Sequence, residues 1–479
     1  VTVSVPASQV ADFLRPESVA LVGASRNPDA LGGRLLPILR SHGYPGRVFL
    51  VNPSGETIGG EPSYRSVDEL PEPVALAVVV VAAPRVAETL EACGRRGIRK
   101  AIVLSSGFAE EAGSGGRERQ AALEAVARRH GILVLGPNCE GFANVADRTP
   151  LTFSPAIDFD RALRRPPVAG SVAVVSQSGG LGFALFNDAM ERHLAFSHVV
   201  TTGNEAGLDA LDVLGALVDE PATTVVLCFL EGVSDPDRLR RIGSRALETG
   251  TAVVVAKVGR SAAAARASLA HTAHEVGDAA SFDSVLAEAA LVRAADQEEL
   301  VDLGMAFSRA PSFTGGGVGV LTISGGAGAW AADALAGVGL EVPELDPDLQ
   351  EALRAHMPAY GAPGNPVDLT ARALAVAGLS PPLELLLSSP EIGAVVLASS
   401  FGSPRALEQE GAEIRRVVAA SGKPVVVYSY TRPSEESARL LAEAGLAWYP
   451  TPVRAARALA ALATHVQARS RPARGDRPV

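Results

Sequence analysis

The sequence predicts an α/β protein with a Rossmann-like domain followed by two flavodoxin-like parallel-sheet domains. Three observations predict it. Short β-branched runs alternate with Ala/Leu/Arg-rich segments of helical period along the whole chain. Three of those runs end in a turn of small residues and then become helical: Val19-Ala-Leu-Val-Gly-Ala-Ser25, Val172-Ala-Val-Val-Ser-Gln-Ser-Gly-Gly-Leu-Gly182 and Val318-Gly-Val-Leu-Thr-Ile-Ser-Gly-Gly-Ala-Gly328. The last two align without a gap and open an internal repeat. At 479 residues the chain exceeds one core and suits about three domains.

The first domain, residues 1–150, has strands at Val19–Val22, Val48–Val51, Ala75–Val81, Lys100–Leu104 and Ile132–Leu135. Helices fit between them, as at Arg85–Arg96 and Gly116–His130. Runs such as Val78–Val81 are apolar on both faces, which marks a parallel sheet covered on both sides. The turn after the first strand, Gly23 to Gly33, is not a dinucleotide fingerprint, because Ser25 stands where the second glycine is needed. The second strand ends in Val51-Asn52-Pro53, with no acid to hold a ribose hydroxyl. NAD(P) is therefore disfavoured, and a different nucleotide-containing ligand fits the same crevice. No Gly-x-x-x-x-Gly-Lys-Ser/Thr occurs, so a P-loop ATPase is disfavoured.

The second and third domains, 165–308 and 314–465, are copies of one unit. After the shared Ser-Gly-Gly-x-Gly come Gly203-Asn204 and Gly364-Asn365. The strands Val225–Leu230 and Val395–Ser399 follow, then Val253–Val255 and Val425–Val427. Each copy closes on Leu-Ala-Glu-Ala-x-Leu, at Leu286–Leu291 and Leu441–Leu446. The join at 308–317 has the Gly/Pro/Ser chemistry of a linker, and 466–479 reads as a polar tail. One difference between the copies is informative. Lys257 to Leu286 is 29 positions and Ser429 to Leu441 is 12, so the first copy carries an insertion, and it contains Ser268-Leu-Ala-His-Thr-Ala273.

Composition narrows the function. The chain is 47% hydrophobic and 5% aromatic, which is a globular profile without disordered tracts. A formal charge of −10 gives no electrostatic case for nucleic acid, although local N–H nests still bind phosphate in an acidic protein. Cys93, Cys139 and Cys228 form neither a CxxC pair nor a disulfide framework, which suits a reducing, cytoplasmic location. Asp12 and Arg15 interrupt the apolar start, so no signal peptide is expected. The longest apolar run, Val74 to Pro84, is too short to span a bilayer. No metal site is predicted.

The chemistry gathers in the second domain. Ser178-Gly179-Gly180 opens a helix and offers free N–H groups and a positive dipole end to an anion; Ser324-Gly325-Gly326 does the same in the third domain. Lys257 and Glu231 follow strands whose C-terminal ends meet at one sheet edge. His271 lies in the insertion. A carboxylate that accepts one ring N–H leaves the other nitrogen free as a nucleophile, and a helix N-terminus can hold the phosphoryl oxygens of a phosphohistidine. The competing reading makes Glu231 a solvated loop residue, Lys257 a surface charge and the insertion an ordinary loop.

These residues carry a family resemblance over nearly the whole chain. Ser18–Arg26, Gly43-Tyr-Pro-Gly-Arg47, Val51-Asn-Pro53, Ser106-Gly-Phe-Ala-Glu110 and Leu135-Gly-Pro-Asn-Cys139 resemble the CoA-binding domain of NDP-forming acyl-CoA synthetases. Val175–Gly180, Gly203-Asn204, Leu230-Glu-Gly232, Lys257–Ser261 and Ala270-His-Thr272 resemble that family's phosphohistidine domain. Ser324–Gly326 and Gly364-Asn-Pro-Val-Asp368 resemble its third domain.

The resemblance implies a ligase that joins a small carboxylic acid to coenzyme A through acyl phosphate, with His271 passing the phosphoryl group to or from ATP/ADP. Glu231 would orient His271, and the Ser178–Gly180 and Ser324–Gly326 mouths would cradle the phosphoryl group. CoA would contact Gly23, Ala24, Ser25, Arg26, Asn52, Pro53, Ala82, Ser105, Ser106, Gly107 and Asn138. The family's ATP-grasp domains do not fit this length, so ATP/ADP and Mg2+ are expected on a separate subunit, with a homo-oligomer as the other partner option. Two departures stand out: Ala270-His-Thr-Ala273 replaces Ser-His-Thr-Gly, and Glu140 follows Pro-Asn-Cys where an apolar residue or Pro is usual. The alternatives are a nucleotide-independent CoA-dependent transferase and a CoA-binding regulatory protein with a decayed phosphorylation site.

Overall fold

The structure is a computed structural model that describes all residues except 1–3, 112, 162–164, 234, 265, 267–278, 374–377 and 471–479. It divides into two compact units, 1–191 with 195–297, and 192–194 with 298–479.

The first unit holds two sheets. Strands β1 (Ser18–Val22), β2 (Arg47–Val51), β3 (Ser63–Tyr64), β4 (Leu76–Val79), β5 (Lys100–Val103) and β6 (Leu133–Leu135) form a parallel sheet of order 3-2-1-4-5-6. This is the Rossmann order, and it puts a switch point between β1 and β4, where the first mouth opens. All residues of β1 and β4 are buried, as their unbroken apolar runs require. The long helix Ser114–His130 stops at Gly131, whose φ of 62° takes the left-handed cap that a side chain resists.

The second sheet contains β9 (Ala169–Ser176), β10 (Phe196–Thr201), β11 (Val225–Leu230), β12 (Ala252–Lys257) and β13 (Val292–Ala294) in the flavodoxin order 2-1-3-4-5. Residues grouped by sequence with the first domain extend it. Gly141–Asn144 (β7) and Thr149–Thr152 (β8) form a hairpin that pairs antiparallel with β10. The turn between them is short, which only an antiparallel pair can use. One apolar core joins both sheets, with Leu21, Leu76 and Ile102 in the same cluster as Phe142, Val175 and Val226.

The second unit repeats the flavodoxin order with β14 (Gly317–Thr322), β15 (Val367–Asp368), β16 (Ile392–Ser399), β17 (Val425–Ser429) and β18 (Ala447–Tyr449). The closing helix, Pro452–Ser470, runs through residues 466–470 of the segment read as a tail and buries Leu462 and His465. Helix Gln297–Arg309 belongs to this unit from Glu298 onward, and its buried Asp302 accepts hydrogen bonds from Arg192 and Arg454. Among the described residues no helix is long and apolar enough to cross a membrane.

Candidate functional site

The first mouth is shaped by close backbone approach. Gly23 has φ of 95°, and a β-carbon there would stand 2.7 Å from the carbonyl oxygen of Val80, the residue that follows β4. The glycine absent at position 25 is replaced by a later pair. β-carbons on Gly32 and Gly33, in the first turn of helix Leu31–Ser41, would meet the carbonyl oxygens of Gly23 at 2.0 Å and Asn27 at 1.9 Å. Asn52 Nδ2 donates to Ala24 O at 2.7 Å and fixes this loop against the end of β2.

A cleft of about 310 Å³ opens beside the mouth and is lined by Gly23, Pro53 and Ala82 from the expected CoA residues. Arg65, Arg85 and Arg95 also line it, and the sequence reading missed them. Arg65 directly follows β3, Arg85 lies in the short turn of helix after β4 and Arg95 ends the helix that follows, but arginine is too common on α/β surfaces to single out. Ala24 is buried and offers its carbonyl to Asn52, while Arg26 and Ser106 are exposed, Arg26 paired with Glu56 at 3.0 Å.

The other expected CoA residues gather one strand further along. Ser105 Oγ donates to Val81 O, next to Ala82, at 2.5 Å, and Asn138 N donates to Ser105 O at 2.9 Å. Glu110 accepts from the backbone N–H of Gly107 at 2.6 Å and from Asn204 Nδ2 at 2.5 Å. Burial alone would raise the Glu110 carboxyl, but the Asn204 and backbone hydrogen bonds hold it below the usual carboxylate range. Asn138 Nδ2 in turn donates to Asn204 Oδ1 at 3.2 Å. The Gly203-Asn204 pair of the second sheet thus fixes the loops at the edge of the first.

The second mouth lies at the end of β9. Ser176 Oγ donates to Ser178 O at 2.6 Å, which folds the turn into the helix Gly179–Glu191. A β-carbon on Gly182 would meet Ser176 Cβ and Thr201 Cγ2, each at 2.8 Å, so helix and strands meet without a side chain between them. The N–H groups of a first helical turn have no partner within the helix.

Gln177 ties this mouth to its neighbours. Its Oε1 accepts from Glu231 N at 2.6 Å and Gly232 N at 3.1 Å, and its Nε2 donates to Gly232 O at 3.1 Å and to Glu205. Glu231 is 4% exposed and Lys257 8%, so neither is a solvated surface charge. Lys257 Nζ donates to Glu231 O at 3.3 Å and Val258 O at 2.9 Å, and lies 5.2 Å from the ring centroid of Phe282. Burial and the nearby Arg260 charge lower the Lys257 ammonium from its ordinary value, opposed by Asp283. Glu231 and Lys257 therefore stand together at the ends of β11 and β12, beside Ser178–Gly180. His271 lies outside the described residues. Gln177 and Glu205 are the members that sequence reasoning did not assign.

Ser324–Gly326 lies in the second unit, where Thr322 Oγ1 donates to Ser324 O at 3.0 Å and Asp368 Oδ2 comes within 3.0 Å of a β-carbon on Gly325. Among the described residues, no group of His, Cys, Asp and Glu is arranged to hold a metal ion.

Comparison with known proteins agrees with this layout. Residues 17–144 match a model described as a CoA binding domain, 169–307 a succinyl-CoA ligase like flavodoxin domain, and 318–474 a Ligase-CoA domain. An ADP-forming acetate–CoA ligase I subunit alpha of Pyrococcus furiosus is 32% identical over 94% of this chain and 96% of its own length. A trans-feruloyl-CoA synthase of an unknown prokaryotic organism is 33% identical over 95% of this chain, which spans 64% of that protein's length. Among solved structures, a dinucleotide forming acetyl-coenzyme A synthetase 1 of Ca. Korarchaeum cryptofilum, in complex with phosphate and ADP, superposes with a TM-score of 0.84. It is 29% identical and covers 96% of this chain and 97% of its own.

Proposed function

The chain belongs to the NDP-forming acyl-CoA synthetase family, the ADP-forming acyl-CoA ligases, and from this premise we propose that it carries the CoA-binding and phosphoryl-relay part of the reaction. The overall conversion is carboxylic acid, CoA and ATP to acyl-CoA, ADP and phosphate. The observation that carries this reading is the Gln177 clamp. It holds the backbone of Glu231 and Gly232 against the residue before Ser178, and so brings a buried carboxylate and a buried ammonium to an open helix N-terminus.

In this reading the cleft at Gly23, Pro53 and Ala82 holds CoA, with Arg65, Arg85 and Arg95 as partners for its phosphates. The thiol of CoA supplies the nucleophile. Its attack on acyl phosphate forms the C–S bond and breaks the C–O bond, and phosphate leaves. The N–H groups at Ser178–Gly180 take up charge on the phosphoryl oxygens, and the Ser324–Gly326 turn is a second candidate donor set of the same kind. His271 accepts the terminal phosphoryl group that ATP gives up in becoming ADP and passes it to the carboxylic acid to form that acyl phosphate, with Glu231 as the carboxylate that orients its ring. ATP/ADP and Mg2+ are handled by ATP-grasp chemistry on another chain, a reading supported by the likeness to a ligase subunit called alpha. All three cysteines are buried thiols, which suits a cytoplasmic setting.

The test incubates the full chain with labelled inorganic phosphate and a panel of acyl-CoAs, with an ATP-grasp subunit added. Acid-labile, base-stable label on the wild type, absent from His271→Ala, is the expected result. CoA binding without label under every condition overturns the relay and leaves a CoA-binding protein.

A further inference from the structure

Glu140 has no part in the chemistry above, although it lies against the Ser178–Gly180 mouth. A β-carbon on Gly179 would stand 2.9 Å from Glu140 Cγ and 3.2 Å from its backbone N, and one on Gly180 would stand 3.7 Å from Oε1. The residue is held in place from two sides. Thr201 Oγ1 accepts from Glu140 N at 3.0 Å, and Ser154 hydrogen-bonds to the carboxyl. Oε2 is buried and, among the described residues, has no hydrogen-bond partner. A buried carboxyl oxygen left without a donor disfavours the carboxylate, and the other oxygen, Oε1, is the one that lies toward the Gly180 position at the helix start.

Among the described residues, none brings a compensating charge to Glu140. Glu140 faces Cys139 beside it, Ser154 after the β7–β8 hairpin, Thr201 at the end of β10, and the glycine backbone at the helix start. Burial pushes the Cys139 thiol up to about 12, so it stays neutral, and no described cation forms an ion pair with Glu140. Burial also holds the Glu140 carboxyl above the usual range, opposed only by the Ser154 hydrogen bond. As a carboxylate the side chain would repel any oxyanion at the adjacent N–H groups. As an acid it offers a proton.

We propose that Glu140 is a ligand-contacting residue of this mouth, which as the neutral acid donates a hydrogen bond from its carboxyl to a tetrahedral oxyanion held at Ser178–Gly180. The inference rests on reading that mouth as the phosphoryl site. No covalent bond changes except the O–H bond of the acid. Where Glu140 is ionised in the free protein, it takes a proton from solvent as the oxyanion binds and returns it when the oxyanion leaves. Binding is then linked to the uptake of about one proton, and affinity falls by up to about tenfold for each pH unit above the titration of Glu140. A glutamate at this position thereby couples oxyanion binding at the mouth to proton uptake from solvent.

Sulfate is the probe, because it is tetrahedral and does not titrate near neutrality. Its binding to the full chain is measured calorimetrically from pH 6 to pH 9 in buffers of different ionisation enthalpy, for wild type and Glu140→Gln. The amide keeps the shape and a donor but carries no titrating proton. The expected result is proton uptake and weakening affinity with rising pH in the wild type, and nearly flat affinity without that uptake in Glu140→Gln. Binding with the same pH dependence in both proteins overturns the role of Glu140 and leaves the mouth standing. No sulfate binding in either protein at any pH overturns both.

Discussion

At the turn after β9, Ser176 Oγ donates to Ser178 O at 2.6 Å; at the turn after β14, Thr322 Oγ1 donates to Ser324 O at 3.0 Å. The glycine four residues beyond each serine packs on that same hydroxyl residue. A β-carbon on Gly182 would meet Ser176 Cβ at 2.8 Å, and one on Gly328 would meet Thr322 Cγ2 at 2.8 Å. The sheet register also corresponds, because Ser176 pairs with Phe229 and Thr322 with Ala398. It therefore matches Glu231 with Ser400, and Lys257, which pairs with Leu230, with Ser429, which pairs with Ser399. Gln177 corresponds to the apolar Ile323. The two copies keep one backbone device, and only the first surrounds it with an amide clamp, a buried acid and a buried base. An N–H mouth alone is a general anion site, and the side chains at the neighbouring strand ends give it a particular chemistry.

The largest effect should come from exchanging the acid. Glu231→Ser installs what the other copy carries, and label transfer or ligase turnover should fall by about 100-fold or more, the scale of losing a residue that sets proton and tautomer chemistry. Ser400→Ala, at the matching position, should change turnover by less than about threefold, since Ser400 only shares a hydrogen bond with Thr431 at an exposed site. Comparable losses in both variants would mean that the copies had not diverged in the way their side chains indicate.

Next in size is the clamp. Gln177→Ile gives the first mouth the residue of the second and leaves the N–H groups of Glu231 and Gly232 without their acceptor. Stranding buried donors costs about 2–4 kcal/mol in total, which denaturant unfolding would read as a shift in midpoint at constant slope. Ile323→Val, a deletion within an apolar contact, should cost about 0.5–1.5 kcal/mol. If Gln177→Ile unfolds no more readily than Ile323→Val, the clamp is not what holds Glu231 in place.

Much of this contrast was legible in the sequence, for a physical reason. Strands buried on both faces leave unbroken Val/Ile runs, and a helix that starts against a strand end needs glycine, so fold class and both mouths are written locally. Glu231 and Lys257 were found because each directly follows or ends such a run. What could not be read depends on distant partners. Glu110, Asn204 and Asn138 meet across two sheets, and 66 positions separate the last two. The hairpin β7–β8 joins the second sheet although its residues follow the last strand of the first. The sequence repeat aligns Val225 with Val395, whereas the ladder pairs Val172 with Val225 and Val318 with Ala394, one residue away. Runs of near-identical Val residues carry no register information, and a slip of one residue exchanges the two faces of a strand.

The smallest effect separates the acids at the two mouths. Asp368 Oδ1 accepts from Thr370 N at 2.9 Å, so its carboxylate has a donor supplied by its own loop. Glu140 Oε2 is buried without one, and burial raises that carboxyl above its usual range. A folded-state value above the unfolded one favours the protonated form, so the stability it contributes is complete below the unfolded value and is lost as pH rises through the folded value. Wild-type protein should accordingly lose stability from mildly acidic pH upwards at this site. Glu140→Gln, which has no charge to bury, should raise the melting temperature at pH 8 by a few degrees at most and give no gain near pH 4, below both values. Asp368→Asn should show no such gain at pH 8, because an amide oxygen is a weaker acceptor for Thr370 N than a carboxylate is. A melting series from pH 4 to pH 9 decides the matter, and a gain at pH 8 for Asp368→Asn equal to that for Glu140→Gln would erase the distinction between the two mouths.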